Sequence, residues 1–342
     1  MSGCLRRCAM GAFLVLSLAV GCSDRSATSS LPASPMPTAE DTPSPTAAPT
    51  LAPAPPTPPA AATATPVSPQ PRPSRAAEPV VLKPGHASLF KNTILCAYGN
   101  RAAASMGILG QAPLEQVAAR LRTLAAAYDE LNGGRGVTLC FDYIFLVADG
   151  TGYPYAHTSP RMDLFDEALQ FAQDRGMLFF VDLQLGYRSL EDEIARVLPY
   201  LEKPNVHLAL DTEFAMQHRG GVPGDTIGSL DATDINRAQA LLQRFIVQHR
   251  LPDKILKVYQ FDPIMLSNKD QLTLDVPNVH LLINGDGVGY GGVAGKLHDY
   301  EEYAGEPHNA LGIKLFVAWD TPLLQPAEVM ALDPQPDEVV YQ

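Results

Sequence analysis

The chain is poor in the residues that usually announce chemistry. It has one tryptophan, five cysteines and eight histidines in 342 residues. No GxSxG elbow occurs, so a serine nucleophile of that kind is not expected. No HxH pair or clustered His/Cys spacing occurs either, which leaves no pattern for a dedicated transition-metal site, and no cofactor is expected. Positive charge is scarce: 25 Lys and Arg stand against 37 Asp and Glu, a net charge of −12. Without a basic stripe, nucleic acid is not an expected partner. Long apolar runs are also missing. The run from Ala9 to Val20 is too short to cross a bilayer as a stable helix.

That run follows Arg6-Arg7 and ends in Ala19-Val20-Gly21-Cys22, which resembles the lipobox of bacterial lipoproteins. The resemblance implies that residues 1–21 are a signal peptide, cleaved before Cys22, and that the Cys22 thiol carries a palmitate-like acyl chain. It also implies an extracytoplasmic location, anchored to the cell membrane of a bacterial envelope. An ordinary secretory signal or a membrane anchor is the alternative, and Arg6-Arg7 also fits twin-arginine export. Removal of Arg6 and Arg7 would take the net charge from −12 to −14. Residues 23–79 hold 16 of the 31 prolines and no aromatic residue. Such a segment buries too little apolar surface to offset chain entropy, so 22–79 reads as a disordered Pro/Ala/Thr-rich linker. Fully extended, at about 3.1 Å per residue, it would approach ~180 Å.

Cys4 and Cys8 lie in the leader, which leaves Cys96 and Cys140 within apolar runs. Buried cysteine behaves as a small hydrophobe, so two free thiols are expected. Pairing is the alternative, should their strands be neighbours in an oxidising compartment.

Residues 80–342 are close in length to the ~250 of a (β/α)8 barrel. β-Branched and apolar runs predict strands at Thr93–Tyr98, Val137–Leu146, Leu178–Gln184, Val206–Glu213, Ile255–Phe261, Val279–Asn284, Ile313–Trp319 and Glu338–Tyr341. Helical patterns cover Pro113–Leu131, Asp163–Arg175, Leu190–Glu202 and Ala232–His249. Ser189 and Asp231 supply helix-start chemistry before two of them. Strands alternating with helices call for a parallel sheet, and eight of them suit a closed TIM-type barrel as one α/β domain. An open doubly wound sheet is the alternative, but Tyr98-Gly99-Asn100 lacks its glycine fingerprint. The last predicted strand has no helix after it, so the segment before Thr93 is expected to cover the gap. Gly287-x-Gly289-x-x-Gly292 formally fits a dinucleotide pattern, but no helix start is evident there, and it reads as a flexible loop after strand six.

The densest chemistry is Asp211-Thr212-Glu213, at the end of the apolar run from Val206 to Leu210. Residues i and i+2 of a strand share a face, so both carboxylates would point one way with Cα atoms roughly 6.5 Å apart. Coupled acids push their pKa values apart, a common basis of acid–base catalysis. Period-two reading of the other strand ends adds Asp182 and Gln184, Gln260, Asn284 and Asp286, and Trp319 with Asp320. Barrel active sites lie at those ends. Tyr98, Tyr153, Tyr155, Phe214, Tyr259, Phe261 and Tyr290 are aromatic candidates near the same mouth, with Trp319 the best stacking residue. Plainer roles compete: Asp286 and Asp320 as turn residues, Asp182 and Gln184 as a structural network. His207, about 13 Å down the strand from Asp211, reads as a core histidine. A hard cation held by Asp182, Asp211, Glu213 and Asp286 is a further alternative.

An Asp-x-Glu at the end of strand four is similar to that of the chitinase-like and lysozyme-like barrel glycoside hydrolases. The resemblance implies Glu213 as proton donor with Asp211 assisting. Asp286 or Asp320 would serve as nucleophile or base. Asp182, Gln184, Gln260, Asn284, Trp319 and Tyr98 would line the sugar site. The longer chitinase signature is not present, since Val206 and Ala209 stand where its further acids would be. Ile227-Gly-Ser-Leu-Asp231 and the closing Val340-Tyr-Gln resemble a set of uncharacterised bacterial envelope lipoproteins, a likeness that implies no activity. The expected function is hydrolysis of carbohydrate or cell-wall glycan. Non-catalytic binding of glycan or protein, and metal-assisted phosphodiester cleavage, are the alternatives.

Overall fold

Eight parallel strands pair in sequence order: Thr93–Gly99, Val137–Ala148, Leu178–Leu183, Val206–Asp211, Lys254–Gln260, Val279–Gly285, Ala310–Leu315 and Glu338–Tyr341. The first strand bonds to both the second and the eighth, so the sheet closes on itself. The chain is a TIM-type (β/α)8 barrel. The computed structural model describes residues 85–342 except 149, 151–153, 157–158 and 290–291. Residues 1–84, which include the expected leader, Cys22 and the proline-rich segment, lie outside the described residues, as do Tyr153, Tyr290 and the side chain of Tyr155.

Alternation sets the two faces. Leu95, Phe141, Val181, Leu208, Val258 and Ile283 point outward and pack against the helices. Ile94, Cys96, Tyr98, Phe180, Ala209, Tyr259, Leu282 and Val340 fill the inside. The inner face also carries charge. Lys257, fully buried, places Nζ 2.6 Å from Asp142 and 2.5 Å from Glu338, both equally buried. Asn284 donates to Glu338 at 2.8 Å, and Lys257 Nζ lies 3.7 Å from the centre of the Phe180 ring. Burial alone would lower the Lys257 pKa, but Asp142 and Glu338 outweigh it and the net shift is upward. A charged girdle thus crosses the barrel beneath its mouth.

The expected helix starts are present. Ser189 accepts from the Asp192 amide before Leu190–Leu201, and Asp231 forms a capping box with Asp234 at the start of Ala232–His249. Four expectations need correction. A helix, Gly292–Ala304, begins where a loop was expected, because Gly292 supplies the positive φ that turns the chain into it. Among the described residues, the segment before Thr93 does not cover the eighth strand. The helix Leu114–Leu131 reaches it instead, with the Tyr128 and Tyr341 hydroxyls 2.9 Å apart, while Phe90 joins the inner cluster of the barrel. Strand four ends at Asp211, and Thr212–Phe214 forms a 3-10 turn.

The fourth correction concerns the thiols. Pairing of the first two strands sets Cys96 directly opposite Cys140, Cα to Cα 4.4 Å, and the two form a disulfide. Neighbouring in-register strands supply the proximity that separate buried sites would lack. Alkylation of the unfolded, unreduced protein should therefore leave both cysteines unlabelled, with labelling only after reduction. Peptide mass spectrometry that finds them alkylated without reductant would contradict the bond.

Candidate active site at the barrel mouth

Asp211 faces inward because His207 and Ala209 do, and it is the last residue before the chain leaves the sheet. Thr212 fixes that exit: its buried hydroxyl donates to the Tyr259 carbonyl on strand five. The turn is held from the far side by Gly228, whose amide donates to the Glu213 carbonyl at 2.6 Å. A Cβ at Gly228 would lie 2.5 Å from the Ala215 carbonyl oxygen, so only glycine permits this approach. Glu213 therefore sits on a turn rather than on the extended strand drawn from the sequence, and it is partly exposed where Asp211 is buried.

Around this pair stand Asp182, Gln184 and Asp286. Gln184 accepts from the Ala148 amide at 3.2 Å and donates to Asp211 Oδ2 at 3.3 Å. Tyr98 donates to Asp182 Oδ2 at 2.9 Å. Burial, followed by the charge of Asp286, raises the Asp211 pKa to about 7, against the pull of Lys314 and the Gln184 hydrogen bond. Glu213 rises to about 8, through burial first and then the charges of Asp211 and Asp286. Asp182 is pushed well up by burial and by Asp211. Asp286 is also raised by burial, while Lys314 and Lys296 favour its ionised form.

Lys314 is the residue the sequence reading missed. It points inward from strand seven, with Nζ 3.7 Å from Asp286 Oδ2. The ammonium lies 3.6 Å from the centre of the Tyr98 ring and 4.4 Å from that of Tyr259, themselves packed edge to face. A lysine inside the apolar run Leu311-Gly-Ile-Lys-Leu315 was the available signal, since a buried lysine demands a partner. Asp142, Lys257 and Glu338 were legible by the same rule.

Several candidates lie elsewhere. Gln260 is on the outer face of strand five, one position out of phase with Lys257 and Tyr259, and donates to Glu306 at 2.9 Å, so its expected place in the mouth is corrected. Asn284 is inside the barrel but belongs to the charged girdle through Glu338. Strand seven ends at Leu315, which puts Trp319 and Asp320 on the following loop. Asp320 accepts from the amides of Gly289 and Phe316 at 2.8 and 2.9 Å and lies 3.3 Å from Lys296, so it holds two loops together. Trp319 is 45% exposed and stacks on Phe316 at 5.5 Å. His207 accepts from the Ile255 amide at 3.1 Å, and burial lowers its pKa, as suits a core histidine.

No protein-family model matches the sequence, and no match exists among curated proteins. Among solved structures the chain is similar to a β-mannanase from a symbiotic protist of the termite Reticulitermes speratus, complexed with gluco-manno-oligosaccharide. The TM-score is 0.40 at 11% identity, over 78% of this chain and 87% of that one.

A hard cation needs several oxygens converging at 2.3–2.6 Å. Among the described residues, the trio of potential ligand atoms lying within 4.8 Å of one another is Cys96, Cys140 and Glu338, and its thiols are joined as a disulfide. The mouth carboxylates are spread more widely than such an ion requires. Their arrangement suits proton transfer: a partly exposed acid holds its proton near neutrality and feels the charge of Asp286, a buried acid that burial raises and two lysines pull back toward its ionised form.

Proposed function

We propose that the barrel acts on carbohydrate, with Glu213 as proton donor and Asp286 as the second carboxylate. The observation that supports this best is the position of Glu213. It is the partly exposed member of a coupled acid group at the C-terminal ends of the strands, where barrel chemistry takes place. Asp211 tunes Glu213 by its charge. Both oxygens of Asp320 are engaged by backbone amides, which favours Asp286 over it as nucleophile or base. The test is a hydrolysis screen of the purified protein against a panel of polysaccharides, beside Glu213→Gln. Turnover by that variant equal to the parent would remove Glu213 from the mechanism.

A second reading, glycan binding without cleavage, is favoured by Lys314, which neutralises Asp286. It predicts that the parent and Glu213→Gln bind the same glycan and that neither cleaves it. The phosphodiesterase alternative has less support, because the mouth carboxylates do not fit a compact divalent ion.

We also place the domain outside the cytoplasm, tethered by the 22–79 linker to lipid on Cys22. In a bacterial host fed alkyne-palmitate, Cys22→Ala should lose the label and leave the membrane fraction. A variant that stays labelled and membrane-bound would sink the anchor.

A further inference from the structure

We propose that the mouth is an open cleft for the interior of a non-acidic polysaccharide, which crosses it from Tyr187 to Trp319, an inference that rests on the carbohydrate reading above. Three buried carboxylate oxygens in the acid group, Asp182 Oδ1, Asp211 Oδ1 and Asp286 Oδ1, have no hydrogen-bond partner among the described residues. Their side chains are at most 5% exposed. A buried polar oxygen without a partner is costly whether or not its carboxyl is protonated, so the ligand these acids suit brings groups that can donate as well as accept. Sugar hydroxyls, spaced around a ring, are groups of that kind.

Charge narrows the class. Lys296 is paired with Asp320 and Lys314 with Asp286. Asp182, Asp211 and Glu213 have no ion-pair partner among the described residues. A uronate or phosphorylated sugar would therefore add negative charge where both nearby cations are already committed. A non-acidic sugar carries no such penalty.

The rim supplies the length. Tyr187, Val222, Ile264, Val317 and Trp319 are all at least 41% exposed, and all lie on loops that follow strands three, four, five or seven. Strands three and seven face each other across the closed barrel, so the loops that carry Tyr187 and Trp319 leave it on opposite sides. Both are held before any ligand arrives. Tyr187 donates to the Gly221 carbonyl at 2.7 Å, and its neighbour Gly186 is bonded to Phe214 and Met216. Trp319 rests on Phe316. Rings fixed in advance lose little entropy when a sugar stacks on them. One platform would bind a chain end; two platforms on loops from opposite sides fit a chain that continues both ways.

Calorimetry on Glu213→Gln, which separates binding from turnover, tests this with di- and hexasaccharides of the cello, manno, xylo and chito series and with hexagalacturonate. At least one neutral hexamer should bind tenfold or more tighter than its dimer, and hexagalacturonate at least tenfold weaker. Tyr187→Ala and Trp319→Ala should each cut hexamer affinity about tenfold with dimer affinity unchanged, as loss of one stacked ring implies. Equal dimer and hexamer affinities, unaffected alanine variants, tight hexagalacturonate binding or no binding at all would each overturn the cleft. Hexamer binding with no turnover by the parent would instead overturn the hydrolytic reading and leave the cleft standing.

Discussion

Replacing Lys257 with Met should destabilise the barrel by about 3–5 kcal/mol, the usual cost of removing one partner from a buried ion pair. Lys257 Nζ touches two carboxylates, Asp142 at 2.6 Å and Glu338 at 2.5 Å, with no solvent at any of the three. Met keeps the volume, so packing loss is small. What remains is a pair of buried acids, repelling one another with no cation between them. Urea unfolding at pH 7 measures the effect. A second variant, Asp142→Asn with Lys257→Met and Glu338→Gln, removes the charges together and should recover more than half of the loss. A single variant that costs under about 1 kcal/mol would mean the girdle is solvated or already neutral, against its burial.

Glu213→Gln should lower kcat on whichever glycan proves to be the substrate by about 10²–10⁴-fold, the range for removing a general acid. The pH profile carries the finer test. A proton donor must be protonated, so activity should fall as pH rises through about 8. After burial, the charge of Asp211 is the largest influence holding that proton in place. Asp211→Asn should therefore move the alkaline limb to lower pH. Lys314 favours the Glu213 carboxylate, so Lys314→Met should move the limb the other way.

Stability should follow the same sign. The folded pKa of Glu213 is raised above its ordinary value, so its favourable contribution is complete at acidic pH and is lost as pH rises through about 8. The Gln variant, neutral throughout, should gain melting temperature relative to the parent at pH 9 compared with pH 5. An alkaline loss of stability in the variant would mean that Glu213 is a structural carboxylate satisfied by neighbours.

Much of the barrel is legible locally. Period-two alternation in Val206-His-Leu-Ala-Leu210 and Phe179-Phe-Val-Asp-Leu183 marks strand and inner face without reference to any other segment. Capping at Ser189 and Asp231 marks two helix starts in the same way. Local pattern failed where a long-range contact decides the backbone. The turn at Thr212 depends on the Tyr259 carbonyl, 47 residues away, and on Gly228. Gln260 misled because a one-residue phase error moves a side chain to the other face of the sheet.

The chain alone determines eight strands, their order and an acid pair at the end of the fourth, because these follow from alternation and from the cost of charge at an apolar strand end. Strand pairing and closure decide the rest. Pairing of neighbouring strands sets Cys96 against Cys140 and Lys314 beside Asp286, and closure runs Lys257 between Asp142 and Glu338 and brings Lys314 against the Tyr98 ring. The energy of a buried charge depends on which opposite charge lies within a few ångströms. Only the closed barrel sets those distances.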